Sequence, residues 1–217
     1  MNSLQEDLDA FKREFLNKFP KDKADIMARA NAELAARNVV RNALKVGDKA
    51  PAFTLPAACG RDVSLYETLQ QGPTIVTFYR GGWCPYCNLA LRAYERLLPE
   101  IRKAGVLLLA ISPQNPDESL STQEKNALAY PVLSDVKNEA AQAFGILFDL
   151  PDYLATLYAE LGHDLPNING AGSWALPVPA TFVIAQDGTI LKAHVEVDYR
   201  TRTVSYTHLT LPTSDLV

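Results

Sequence analysis

T-I-V-T-F-Y-R-G-G-W-C-P-Y-C-N-L-A-L, residues 74–91, decides the fold. Thr74 to Tyr79 is apolar and β-rich, and Gly72-Pro73 and Gly81-Gly82 bound it, so it reads as a buried strand. From Asn88 to Ala104 the apolar residues Leu89, Leu91, Tyr94, Leu97, Leu98 and Ile101 recur at helical spacing. The turn between strand and helix holds Cys84 and Cys87. Pro85 suits the first helical position, where a missing N–H costs nothing. Cys84 then sits at the helix N-terminus, facing unpaired N–H groups and the positive end of the dipole. That environment predicts a thiolate with a pKa below the free value of about 8.5. Cys87 lies one turn further, on the same side of the helix.

A thiolate and a second thiol within reach make a redox pair. C-x-x-C has two other uses. Half of a zinc site needs two more ligands. Only Cys59, His163, His194 and His208 are on offer, and none has ligand spacing. Two inert, buried cysteines are the other alternative. The redox reading is the one that strand, glycine turn, Pro85 and helix start all serve.

The chain has 217 residues, 21% charged and 47% hydrophobic, which suits one domain with extensions. Its net charge is −4 with no basic run, so neither nucleic acid nor an anionic membrane is an expected partner. No apolar run has the length of a membrane span. The start, M-N-S-L-Q-E-D-L-D-A, lacks the basic-then-apolar order of a secretion signal, so a cytoplasmic location is expected. There a C-x-x-C cycles rather than staples.

Outward from the centre, residues 1–44 form an N-terminal helical extension. Leu4, Leu8, Phe11 and Phe15 make one apolar stripe. Ser3 with Glu6 forms a capping box, and Pro20 divides the segment. Ile26, Met27, Ala30 and Leu34 line a second helix. These helices either add a layer to the domain's own core or form an oligomerisation arm, as in a homodimer. Residues 45–202 form the main domain. Pro51–Pro56 and Val63–Leu65 read as short strands around a turn that contains Cys59. Val106–Ser112 is a continuous apolar run, the pattern of a central strand. With Thr74–Tyr79 and the intervening helix it makes a right-handed βαβ unit. Asp117–Ala129 reads as a helix, Tyr130–Leu133 as a strand, and Glu139–Phe144 and Asp152–Leu161 as helical. His163–Gly172 is a loop by composition, either a lid or a surface excursion. Thr181–Ala185, the turn Gln186-Asp187-Gly188 and Thr189–Val197 form a hairpin.

The domain from about Val46 to Tyr199 resembles a peroxiredoxin of the alkyl hydroperoxide reductase and thiol-specific antioxidant family. Five stretches carry the resemblance: V-G-D-K-A-P-A-F-T-L-P, V-T-F-Y-R-G-G-W-C-P-Y-C, L-L-L-A-I-S, Y-P-V-L-S-D and P-A-T-F-V-I-A-Q-D-G-T-I. It implies an α/β, thioredoxin-like fold with a central mixed sheet flanked by helices. It implies Cys84 as peroxidatic cysteine, a peroxide substrate, a thioredoxin-type or glutathione-type reductant, and no metal or organic cofactor. By likeness to thioredoxins, Pro179 is a cis proline beside the cysteines. Cys87 is the resolving thiol of this reading, with Gly82, Trp83, Arg80 and Pro179 as the substrate-side residues.

Three positions depart from the family pattern. The usual threonine or serine three residues before the peroxidatic cysteine is Gly81, and the proline four residues earlier is Thr77. The usual active-site arginine falls on Pro179. Arg80 either replaces that charge or is a surface residue at a strand end. W-C-P-Y-C is similar to thioredoxin, and C-P-Y-C is the glutaredoxin form. The runner-up function is therefore a thiol–disulfide oxidoreductase, and the third is a non-catalytic or zinc-binding module. The end of the chain, T-R-T-V-S-Y-T-H-L-T-L-P-T-S-D-L-V, has no helical period where a covering helix is expected. V-S-Y-T-H-L-T-L-P-T-S resembles a translated sequencing adapter, so residues 203–217 are read as a non-native tail.

Overall fold

Thr74–Phe78 (β3) is buried at all five positions, as its apolar run requires. It is the middle strand of a five-stranded sheet in the computed structural model, which describes residues 3–170 and 172–202. The tail read as non-native, residues 203–217, lies outside the described residues, as does His208. Around β3 the elements run in order: α1 (Leu4–Lys18), α2 (Lys21–Ala36), β1 (Thr54–Pro56), β2 (Asp62–Ser64) and α3 (Leu65–Leu69) precede it. After it come α4 (Pro85–Lys103), β4 (Leu107–Ser112), α5 (Pro116–Lys125), β5 (Val132–Ser134), α6 (Glu139–Ala143) and β6 (Leu147–Asp149). The last are α7 (Asp152–Glu160), α8 (Leu165–Ile168), β7 (Ala175–Pro177), β8 (Ala180–Ile184) and β9 (Ile190–Val195).

The sheet order is β5-β4-β3-β8-β9. β3, β4 and β5 are parallel, joined through helices, while β8 and β9 run antiparallel. Alternation along β3 divides the core. Ile75 faces α4, whose Ala90, Leu91, Tyr94 and Leu98 are buried there. Val76 and Phe78 face the other side, against Leu65 and Leu69 of α3 and Ala140 and Ala141 of α6.

The N-terminal helices pack on this domain. The capping box of α1 is present, with Ser3 and Glu6 bonded reciprocally. Leu4 and Leu8 of α1 are buried with the α4 residues, and Phe11 meets Tyr86 edge-on at 5.0 Å. Ala30 of α2 is buried with Leu154, Leu157 and Tyr158 of α7. Pro20 serves as the N-cap of α2, where its lack of a donor is harmless.

Some local readings change. Leu65, read as the end of a strand, begins α3, because Ser64 accepts from Glu67 N and starts a helix. The stretch read as the loop His163–Gly172 contains the short helix α8. β6 and β7 pair into a small sheet that no sequence pattern announced. Among the described residues no peptide bond is cis, so the cis reading of Pro179 is wrong. Only Val178 and Pro179 separate β7 from β8, and a trans bond carries the extended chain from one strand to the next.

Candidate active site

Two adjacent parallel strands end at the same edge of the sheet, and their continuations meet. β3 runs into Tyr79–Trp83, and β4 runs into Pro113-Gln114-Asn115. Ligand sites of parallel α/β sheets gather at such carboxyl ends. Gln114, fully buried, accepts a hydrogen bond from Gly82 N at 2.7 Å and another from Thr122 Oγ1 at 3.2 Å. Asn88 Nδ2 donates to Gly82 O at 2.8 Å, and Asn126 Nδ2 donates to Asn88 Oδ1 at 3.0 Å. The turn that delivers Cys84 is therefore held at Gly82 from both sides.

Cys84 is the N-cap of α4 and Pro85 its first residue, as the spacing predicts. Cys84 is 2% exposed, Cys87 1%, and both are free thiols hydrogen-bonded to each other. The pair does not ionise as the helix dipole alone would suggest. Burial pushes the Cys84 thiol well up, and its hydrogen bond with Cys87 adds to that. Burial also opposes the Cys87 thiolate, but the Cys84 hydrogen bond and the Arg202 and Arg80 guanidiniums outweigh it and bring Cys87 down to about 5. The surroundings favour the anion on Cys87 over one on Cys84. The expected lowering at Cys84 fails because that side chain makes no cap hydrogen bond and is buried.

Arg80 is buried, not on the surface. Its Nη2 donates to Tyr158 Oη at 2.5 Å. Its guanidinium lies over the Trp83, Tyr158 and Tyr199 rings at 4.9, 5.5 and 4.3 Å. Burial works against its charge, yet Tyr158 and Cys84 more than offset this and it remains a cation. Its Nε has no partner among the described residues. Trp83 is half-buried and packs on Tyr158 and on His163 at 5.4 and 5.2 Å. His163, weighed in the sequence as a zinc ligand and as the start of a lid or surface loop, packs in the aromatic box. Pro179 borders Arg80, Tyr158 and Tyr199 on one side and Cys87 on the other.

The structure brings Arg80, Gly82, Trp83, Cys84, Cys87 and Pro179 together. Cys59 is exposed, in a separate groove with Arg61 and Arg102. Among the described residues no three His, Cys, Asp or Glu side chains gather as a metal site would require. Sequence reading missed Gln114, Asn88, Tyr158, Tyr199 and Arg202. The first had a signal, its place just beyond a central parallel strand. Asn88 follows Cys87 directly but no pattern marks it, and Tyr158, Tyr199 and Arg202 come from distant segments.

The departure at Gly81 has a structural cause. Gly81 has φ +145°, and a Cβ there would lie 2.4 Å from Trp83 Nε1. The family's threonine does not fit this loop.

The AhpC/TSA family matches residues 46–193. A putative peroxiredoxin of Mycobacterium tuberculosis is 31% identical over 154 residues, which are 71% of this chain and 87% of that protein. Peroxiredoxin Bcp of Escherichia coli is 34% identical over 105 residues, covering 48% of this chain and 67% of the relative. Among solved structures, peroxidoxin BcpB of M. tuberculosis superposes with a TM-score of 0.58 at 23% identity, over 72% of this chain and 91% of that one. The bacterioferritin comigratory protein of Xanthomonas campestris, described for alkyl peroxide reduction, gives 0.53 at 20% identity, over 67% and 82%.

Proposed function

This chain belongs to the AhpC/TSA family, and on that premise we propose that Cys84 and Cys87 are the catalytic pair of a thiol-dependent peroxidase acting on hydrogen peroxide and small alkyl hydroperoxides. Its relatives are peroxiredoxins, and the chain is an oxidoreductase of that thioredoxin-like class. The observation that carries the reading is the dithiol beside a buried guanidinium with a free donor. Arg80 Nε is a buried donor without a partner among the described residues, its charge acts on Cys84, and in this reading it serves a peroxide oxygen in place of the arginine the family usually has where Pro179 stands.

The chemistry follows from the anion's preference for Cys87. Cys84 sulfur attacks the distal peroxide oxygen and the O–O bond breaks. The Cys84 proton passes through Cys87 to the leaving alkoxide or hydroxide, giving alcohol or water. Cys84 is now a sulfenic acid. The Cys87 thiolate attacks its sulfur, the disulfide closes, and hydroxide leaves and takes a proton to become water. A dithiol reductant, of thioredoxin or glutathione type, reopens the disulfide by exchange. No described helix is long and apolar enough to cross a membrane, and three free cysteines suit the reducing cytoplasm.

A second reading has its own support: Gly81 and Pro179 stand where peroxide-polarising residues are usual, and C-P-Y-C is a disulfide-exchange centre. Stopped-flow oxidation of reduced protein by hydrogen peroxide, followed by tryptophan fluorescence, separates the two. Rapid oxidation lost in Cys84→Ser, with Cys87→Ser stalled at sulfenic acid, is the expected result. A rate no better than a free thiol, with rapid exchange against disulfides, assigns the protein to the second class.

A further inference from the structure

The last described segment closes over the thiols. Asp198 builds a tight turn: its carboxylate accepts from Arg200 N, Nε and Nη2 at 3.0, 2.8 and 2.7 Å. Its carbonyl accepts from Thr201 N and Oγ1. Tyr199 meets Tyr86 at 5.7 Å and lies under Arg80. The turn leaves Arg202 above α4. Arg202 Nη1 donates to the carbonyls of Tyr199 and Thr201, which fixes the plane of the guanidinium. Nη2, on the other arm, donates to Cys87 Sγ at 3.4 Å.

We propose that Arg202 is a catalytic residue of disulfide closure, holding the Cys87 sulfur as the anion that attacks the Cys84 sulfenic acid. This rests on the peroxidase reading for the identity of the acceptor, but not for the charge on Cys87. Several charged or titratable groups face Cys87. Tyr79 and Arg80 follow β3; Cys84 and Tyr94 come with α4; His194 of β9 and Arg202 line the small cavity beside the sulfur. Of the two cations, Arg80 is engaged by Tyr158 and the aromatic rings. Arg202 donates directly to the sulfur. A sulfur anion paired with a guanidinium is favoured over the neutral thiol, which a buried sulfur would otherwise prefer.

The test uses the full chain carrying Cys59→Ser and Cys84→Ser, so that Cys87 alone titrates, followed by ultraviolet thiolate absorbance. With Arg202 present the transition should lie well below the free-thiol value. Arg202→Gln should raise it by about one unit or more, the effect of removing one adjacent opposite charge. Arg202→Lys should recover part of the shift. In the chain with both cysteines, Arg202→Gln should slow disulfide closure up to about tenfold at acidic pH, below both transitions, where the thiolate fraction falls tenfold per pKa unit, and only slightly at neutral pH. Sulfenic acid should then accumulate, with closure accelerating as pH rises. An unchanged titration in Arg202→Gln overturns the proposal, as does a shift that Arg202→Lys does not relieve in a chain with unaltered circular dichroism. A shifted titration together with no peroxide-driven oxidation upholds the charge assignment and removes the peroxidase reading alone.

Discussion

Gly82 shows how closely the redox turn is fitted. A Cβ there would lie 2.2 Å from Thr122 Oγ1. Thr122 cannot simply swing away, because its hydroxyl donates toward Gln114 Oε1 and the Glu118 carbonyl. Gly82→Ala should therefore cost about 1–3 kcal/mol, the usual range for overpacking. Urea unfolding measures it, and the cost should shrink in a Thr122→Ala background, since contacting residues couple. An equal cost in both backgrounds would mean that the crowding lies elsewhere. The same scale explains what the sequence hid. Cys84 and Cys87 were legible because a C-x-x-C at a strand–helix junction is local. Arg80 was legible only as a choice between a substitute charge and a surface residue, because Tyr158 lies seventy-eight positions away and nothing in the local run says that the strand end is roofed. The charge distribution failed for the same reason: the helix-dipole argument is local, whereas burial of Cys84 and the approach of Arg202 are tertiary.

At the scale of elements, α1 is the informative case. Its stripe is used inside the chain, Leu8 being buried against α4 while Leu16 is 55% exposed. Leu8→Ala should lower stability by about 2–5 kcal/mol, and Leu16→Ala should change it by less than about 0.5 kcal/mol. Chemical denaturation of both variants checks this. Equal effects would show that helix propensity, not packing on α4, sets the contribution. Elements with strong periodicity or clear caps were legible in the sequence: α1, α4, β3, β4 and the β8–β9 hairpin fall within a few residues of their expected spans. β6 and β7 were not, because three-residue strands such as Leu147–Asp149 carry no period. Their pairing depends on Phe148 and Leu176 meeting across a long intervening segment. α3 was misread for a related reason, as Val63–Leu65 looks extended until Ser64 is seen capping the turn that follows.

For the whole molecule, the aromatic box ties stability to pH. His163 has its pKa lowered, first by burial and then by Arg80. The unfolded chain protonates it near about 6.5. Between the folded and unfolded values the unfolded state binds more protons, so stability rises with pH across that window and is complete above it. Acidification from neutral pH to pH 5 should lower the urea midpoint, and His163→Gln should flatten that dependence. Asp198 adds its own loss only at lower pH: burial raises its pKa, the Arg200 hydrogen bonds outweigh that, and the carboxyl titrates below its ordinary range. A midpoint indifferent to pH in the parent chain would remove the box from the account. One feature also reaches into biosynthesis. Phe11 and Tyr199 meet the same ring, Tyr86, from segments near the two ends of the described chain. On a ribosome the dithiol emerges more than a hundred residues ahead of Arg202. At about 5–20 residues per second that is roughly 5–20 s. Throughout that interval the nascent chain presents an unroofed Cys84–Cys87 pair, so the newborn protein meets oxidants and cellular thiols before the finished one can shield the pair.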